Sequence, residues 1–377
     1  MYSVSFTIAL YLYDLKWSDL YLDINNDLFT FLLITILISF FISILSHSRI
    51  EDGGNRVVIS KNNNWVLLIF LTLGFIAEFL YSKNIPILSV LKGELENYKD
   101  FGIPSFHVFL LPYASVYSII SFYRYIENKD KKYFLYSTLY TIFLLSLIMN
   151  RGALIIVFSS IAMIFIYKEI SYKSFFVLVI GVIFLSYIFG VVGNKRMISS
   201  GYSDEWAVLS VANASKDFKD SDIPKEFFWV YLYSTVSISN LDRQVDFYEK
   251  GKGNLSDIII LDIMPDFISK RIYSDDEILE FKPELIKEEL TTYTIYGRSV
   301  KIYGLYGATI LFVWLILFNI VSLKLTINKY RAPLLSILTV ISSLSIFANM
   351  LVFSGTLMQV VLLMVFPRIS IGKYRIL

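Results

Sequence analysis

From Ala332 to Pro367, 36 consecutive residues pass without Asp, Glu, Lys or Arg. A helix crosses a bilayer with about 20 predominantly apolar residues. One crossing cannot use this run, and Ser354-Gly355 offers a turn that divides it into two. Seven further charge-free runs have spanning length: Leu28 to Ser48, Trp65 to Ala77 (prolonged past Glu78 to Ser82), Ile103 to Tyr123, Tyr133 to Asn150, Gly152 to Tyr167, Ser174 to Asn194 and Ile302 to Leu323. With 56% apolar and 18% charged residues, the chain is no ordinary soluble domain. The expected fold is an all-α polytopic membrane protein with about 9–10 transmembrane helices. Met1 to Tyr13 is either a short first span or an interfacial segment. It lacks the basic region that opens a cleaved signal peptide. Phe227 to Leu241 is shorter than a span, and is expected to dip in and return or to lie on the surface.

Basic residues orient the chain. With the segment before Leu28 outside, the inner loops and tail carry 15 Lys and Arg, from Arg49 to Arg375, and the short outer loops carry five. One outer connection dominates. Residues 193–301 form a large loop with 14 Lys and Arg and 19 Asp and Glu. It is rich in Trp and Tyr, and Glu284 to Tyr293 reads as a short helix. Three regions follow: an N-terminal transmembrane bundle (1–192), the large loop (193–301) and C-terminal transmembrane helices (302–377). Long structured loops on one face commonly carry function.

The chemistry available is narrow. There is no cysteine, and the only histidines are His47 and His107. No metal site or cofactor is expected. The net charge of +2 makes no case for nucleic acid, and no nucleotide-binding glycine loop or serine-nucleophile elbow is present. Glu78 interrupts an apolar run near its outer end, as a general base or as the partner of Arg151 or another arginine. His107 begins the next span. Arg151, in Asn150-Arg151-Gly152, either snorkels to the outer interface or binds an anion there. Lys195 and Arg196 open the large loop and Arg298 closes it. Arginine suits bidentate phosphate recognition, so Arg151, Lys195, Arg196 and Arg298 are candidate diphosphate ligands. Tyr231 and Tyr233, with Asp242 and Arg243 beyond them, make an aromatic, hydroxyl-rich segment suited to glycan binding. Asp275-Asp276-Glu277 reads as either a cation-binding run or an exposed solvated turn.

Several segments together resemble the O-antigen polymerases (Wzy-type oligosaccharide repeat-unit polymerases). They are Trp17 to Tyr21, Ile85-Pro86 followed by Tyr98 to His107, Asn150-Arg151-Gly152, Tyr231 to Leu241 and Tyr303 to Gly307. The resemblance implies a GT-C-like glycosyltransferase of the bacterial inner membrane, acting at the periplasmic face. Its substrate would be an undecaprenyl diphosphate-linked oligosaccharide, and a polysaccharide chain-length regulator would be a partner. In that setting the arginines stabilise the departing diphosphate without a metal. Glu78 or His107 deprotonates the acceptor hydroxyl. The alternatives are an O-antigen ligase, which uses the same donor, and a lipid-linked oligosaccharide flippase.

Overall fold

The computed structural model describes residues 1–51, 65–91, 101–127, 131–148, 150–169, 171–199, 201–248, 253–365, 368, 370–371 and 374–375. The first half holds α1 (Tyr2–Asp14), α2 (Asn26–Glu51), α3 (Trp65–Ser82), α4 (Pro86–Leu91), α5 (Phe106–Glu127), α6 (Lys131–Leu147), α7 (Arg151–Glu169) and α8 (Tyr172–Ser199). Short elements fill the large loop: α9 (Ala207–Val211), α10 (Lys216–Lys219), α12 (Leu255–Ile258), α13 (Asp266–Ile272) and α14 (Asp275–Glu280), around one long helix, α11 (Phe227–Asp246). Then come α15 (Gly297–Leu325), α16 (Arg331–Leu344) and α17 (Ser354–Val365), and a two-residue antiparallel pair, β1 (Ser370–Ile371) with β2 (Tyr374–Arg375).

Each charge-free run has become a helix. Among the described residues four helical stretches are long and apolar enough to cross a membrane: Asn26–Leu45, Phe106–Glu127, Val179–Ser199 and Gly297–Leu325. Val66–Ser82, Phe134–Leu147, Gly152–Tyr167 and Ser354–Val365 are shorter apolar helices. The chain is therefore all-α with the helices of a membrane protein.

Three local expectations are corrected. The break in the last apolar run lies at 345–353, and Ser354 opens α17 rather than turning the chain. The broken stretch receives the loop: the Ser345 carbonyl accepts the Ile295 N–H at 2.7 Å, and Asn349 Nδ2 donates to the Asp262 carbonyl at 2.7 Å. Phe227 to Leu241 neither reverses nor lies on the surface. It belongs to the continuous 20-residue α11, which is buried along most of its length. Glu284 to Tyr293 is not helical. Its backbone is held by side-chain amides of α11 instead. Asn240 Nδ2 donates to the Leu290 and Thr292 carbonyls, Asn240 Oδ1 accepts from Ile286 N–H, and Gln244 Oε1 accepts from Glu284 N–H.

The chain forms two compact units that interleave along the sequence: 1–45, 170–316 and 342–350 in the first, 46–169, 317–341 and 351–377 in the second. In the first unit α1 buries Tyr2, Phe6, Ala9 and Tyr13, a spacing of three to four that lines one helical face. α1 packs on α11, which also packs on α8. At 13 residues α1 is about 20 Å long, short of a crossing. The chain leaving α1 docks on the loop through an isolated bridge, Ser18 with Ala214, and the Trp17 carbonyl accepts from Ser215 N–H. In the second unit α5 is the central helix, buried from Leu110 to Ser121 and surrounded by α3, α6, α7 and α17.

Candidate functional site

The second unit brings Glu78 and His107 together. Glu78 lies in the last turns of α3 with its side chain 0% exposed, and its Oε2 is 2.8 Å from His107 Nδ1. His107 begins α5 and keeps 21% of its side chain exposed. The loop between the helices shapes the contact. Phe101 sets its ring edge-on to the imidazole at 5.7 Å. Gly102 has φ +97°, a region that disfavours residues with a Cβ, and a Cβ there would fall 2.6 Å from His107 Nδ1. Its N–H donates to Ser82 Oγ at 2.9 Å, which ties the loop to the end of α3.

A buried carboxylate accepts from Nδ1–H, which leaves Nε2 as the basic ring position. Glu78 does not reach solvent, and among the described residues its one polar contact is the imidazole. Its other oxygen, Oε1, is buried without a hydrogen-bond partner among the described residues. The two candidates for a base are thus one dyad, in which His107 is the exposed member.

Arg298 belongs to the first unit. It sits in the first turn of α15, with Nη1 donating to the Leu261 carbonyl at 2.9 Å and lying 4.0 Å from Asp262 Oδ1. That separation is too long for a hydrogen bond. Asp262 is 2% exposed. Its Oδ2, and Arg298 Nε, are buried without hydrogen-bond partners among the described residues. Burial pushes the Asp262 carboxyl up to about 7, against the opposing pull of Arg298 and a hydrogen bond from Asn349. Asp262 lies in a π-helical turn, Ile259–Ile263, an irregularity often found at functional sites. Sequence reasoning missed it, although a lone carboxylate inside Ile258-Ile259-Ile260-Leu261-Asp262-Ile263 is the same signal that marks Glu78.

The remaining candidates are placed as follows. Arg151 is the first residue of α7, a helix start at which Asn150 Oδ1 accepts from Ala153 N–H at 3.0 Å. Lys195 and Arg196 are exposed and still within α8, which runs on to Ser199 before the loop begins. Beside them, Asn194 Oδ1 accepts from Trp229 Nε1 at 2.7 Å. Tyr231 is only 2% exposed and packs among Trp17, Tyr21 and Phe228, its hydroxyl accepting from Trp17 N–H. It is a core residue that offers no open face for a sugar. Tyr233 is half-buried, edge-on to Phe189. Asp242 Oδ1 accepts from Asn25 N–H at 2.7 Å, which fixes the approach to α2, and burial raises its carboxyl. Arg243 is exposed and stacks over Phe247 at 4.7 Å. The acidic run at Asp275 opens α14 under a capping box between Ser274 and Glu277. Among the described residues no cluster of three potential metal ligands occurs.

The fold and these contacts define an all-α membrane protein with a buried carboxylate–histidine dyad. No family model, curated protein or solved structure matches the chain.

Proposed function

We propose that this protein is a membrane glycosyltransferase of the oligosaccharide repeat-unit polymerase type, in which His107 is the general base and Glu78 its positioning partner. The observation that carries the proposal is the 2.8 Å contact between a fully buried Glu78 and a partly exposed His107. A paired carboxylate fixes the imidazole tautomer and stabilises the imidazolium once a proton arrives. In the proposed reaction an acceptor hydroxyl gives its proton to Nε2 of His107 as its oxygen attacks the anomeric carbon of the donor glycan. The bond from that carbon to the diphosphate oxygen breaks, and undecaprenyl diphosphate leaves with the electron pair. One direct displacement inverts the anomeric centre. Arg151, in the same unit as His107, is the proposed diphosphate ligand, because a preorganised cation stabilises a leaving diphosphate. The setting is the bacterial inner membrane with the reaction on the periplasmic side.

The test deletes the gene in its native strain and complements it with variants, reading surface glycan on a gel. Wild type restores a ladder. His107→Ala leaves single repeat units on the core, since general base catalysis is worth about 10²–10⁴-fold in rate. Glu78→Gln falls between them, because its amide presents an N–H that disfavours the productive tautomer. A normal ladder with His107→Ala overturns the proposal. So does a deletion phenotype of polymer made but not joined to the core, which marks a ligase, or of no surface repeat at all, which marks a flippase.

A further inference from the structure

Within the large loop, two stretches present opposite surfaces. From 203 to 246 no large apolar side chain is exposed among the described residues, whereas Leu255, Ile259, Met264, Phe267 and Ile272 all are. In that second stretch Asp257, Asp262 and Ser269 are buried along with Ile258 and Leu261. Asp257 is satisfied inwardly, accepting from Asn254 N–H at 2.8 Å and from the Tyr273 hydroxyl at 2.6 Å. Water drives apolar side chains inside, so five exposed apolar side chains within 18 residues are matched to a different solvent.

Its neighbours say which solvent. Ile258 and Leu261 form a buried cluster with Ile302, against which Ile310 also packs. Ile258 Cδ1 lies 3.2 Å from where a Cβ on Gly307 would stand. Gly307 and Ile310 belong to the first turns of the apolar length of α15, one of the helices fit to cross a membrane. The segment is therefore fastened beside the outer end of a span. Lys270 and Arg271 are exposed in the last turn of α13, and the Arg271 guanidinium lies over the Phe267 ring at 5.8 Å. An apolar face bordered by cations is the pattern of an interfacial anchor on anionic lipid.

We propose that residues 255–272 are embedded in the membrane interface, with Leu255, Ile259, Met264, Phe267 and Ile272 among the acyl chains and Lys270 and Arg271 at the phosphates. This holds independently of the glycosyltransferase reading. It moves the interfacial part of the loop from α11, which is buried in protein, to α12 and α13.

The chain has no cysteine, so single-cysteine variants label at one place only. Met264→Cys and Phe267→Cys, in the full-length protein in vesicles containing phosphatidylglycerol, are nitroxide-labelled. Spin relaxation by oxygen, which partitions into lipid, is compared with that by a water-soluble nickel chelate. Val313→Cys on α15 is the lipid standard and Asp217→Cys on α10 the water standard. The expected oxygen-to-nickel ratio at 264 and 267 is severalfold above that at 217 and approaches that at 313. A ratio equal to that at 217 overturns the proposal. Protection from both reagents does so too, since it means that another protein covers the face.

Discussion

The Asp262 carboxyl gives a direct test of the first unit's interior. Raised from its ordinary value to about 7, it favours the neutral acid by about 3 pH units, or ~4 kcal/mol. Burial is the cause, and the guanidinium 4.0 Å away offsets only part of it. At pH 6 the acid outnumbers the carboxylate by about 10 to 1, where an ordinary aspartate stands near 1 to 100. The perturbation is Asp262→Asn, and the assay is infrared difference spectroscopy of the full-length protein across pH 5 to 9. Wild type minus variant shows a protonated-carboxyl band at pH 6 that fades with a midpoint near 7. Arg298→Ala removes the opposing charge and moves the midpoint upward. A band already absent at pH 6 refutes the reasoning, because it means that water solvates the carboxylate. The sign for stability follows. The folded protein keeps a proton that the unfolded chain releases above about pH 4. The resulting stabilisation is complete below about pH 4 and is lost as the pH rises through about 7.

Asn240→Ala leaves three backbone groups of the 286–292 stretch without their partners, a loss of about 3 kcal/mol or more, read as a lower midpoint in thermal unfolding of purified protein. Gly102→Ala meets both an unfavourable φ and the His107 ring, at a cost of about 1–3 kcal/mol. Under the proposed function it depresses glycan polymerisation while insertion, followed by membrane fractionation, stays normal. Trp229→Phe keeps the packing against α8 but drops the indole hydrogen bond to Asn194, lowering stability by about 1 kcal/mol in the same unfolding assay.

The helices were legible because charge-free runs of the right length have one economical arrangement in lipid. Every run yields helix, with a kink at Tyr303-Gly304 inside one and a break at 345–353 inside another. What escaped sequence reading are features set by partners remote in the chain. Glu78 and His107 each stood out as polar groups in apolar surroundings, but their pairing depends on the path through Phe101 and Gly102. Glu284 to Tyr293 carries helix-favouring Lys and Glu residues, yet Asn240 and Gln244 claim its backbone groups. Tyr231 looked like a ligand-facing aromatic and proved to be core, because the segment after α1 covers it. Local composition encodes none of these contacts.

The interleaving of the units also sets a timetable for biogenesis. The Tyr2 hydroxyl lies 2.6 Å from that of Tyr296, 294 residues downstream. At about 5–20 residues per second of synthesis, that partner emerges some 15–60 s after the amino terminus. For that interval Tyr2 and Phe6 lack the Tyr296 ring against which they pack. The amino terminus must therefore be sheltered by lipid or a chaperone while most of the chain is made. A ribosome stalled before α11 would display a ready-made target for quality control.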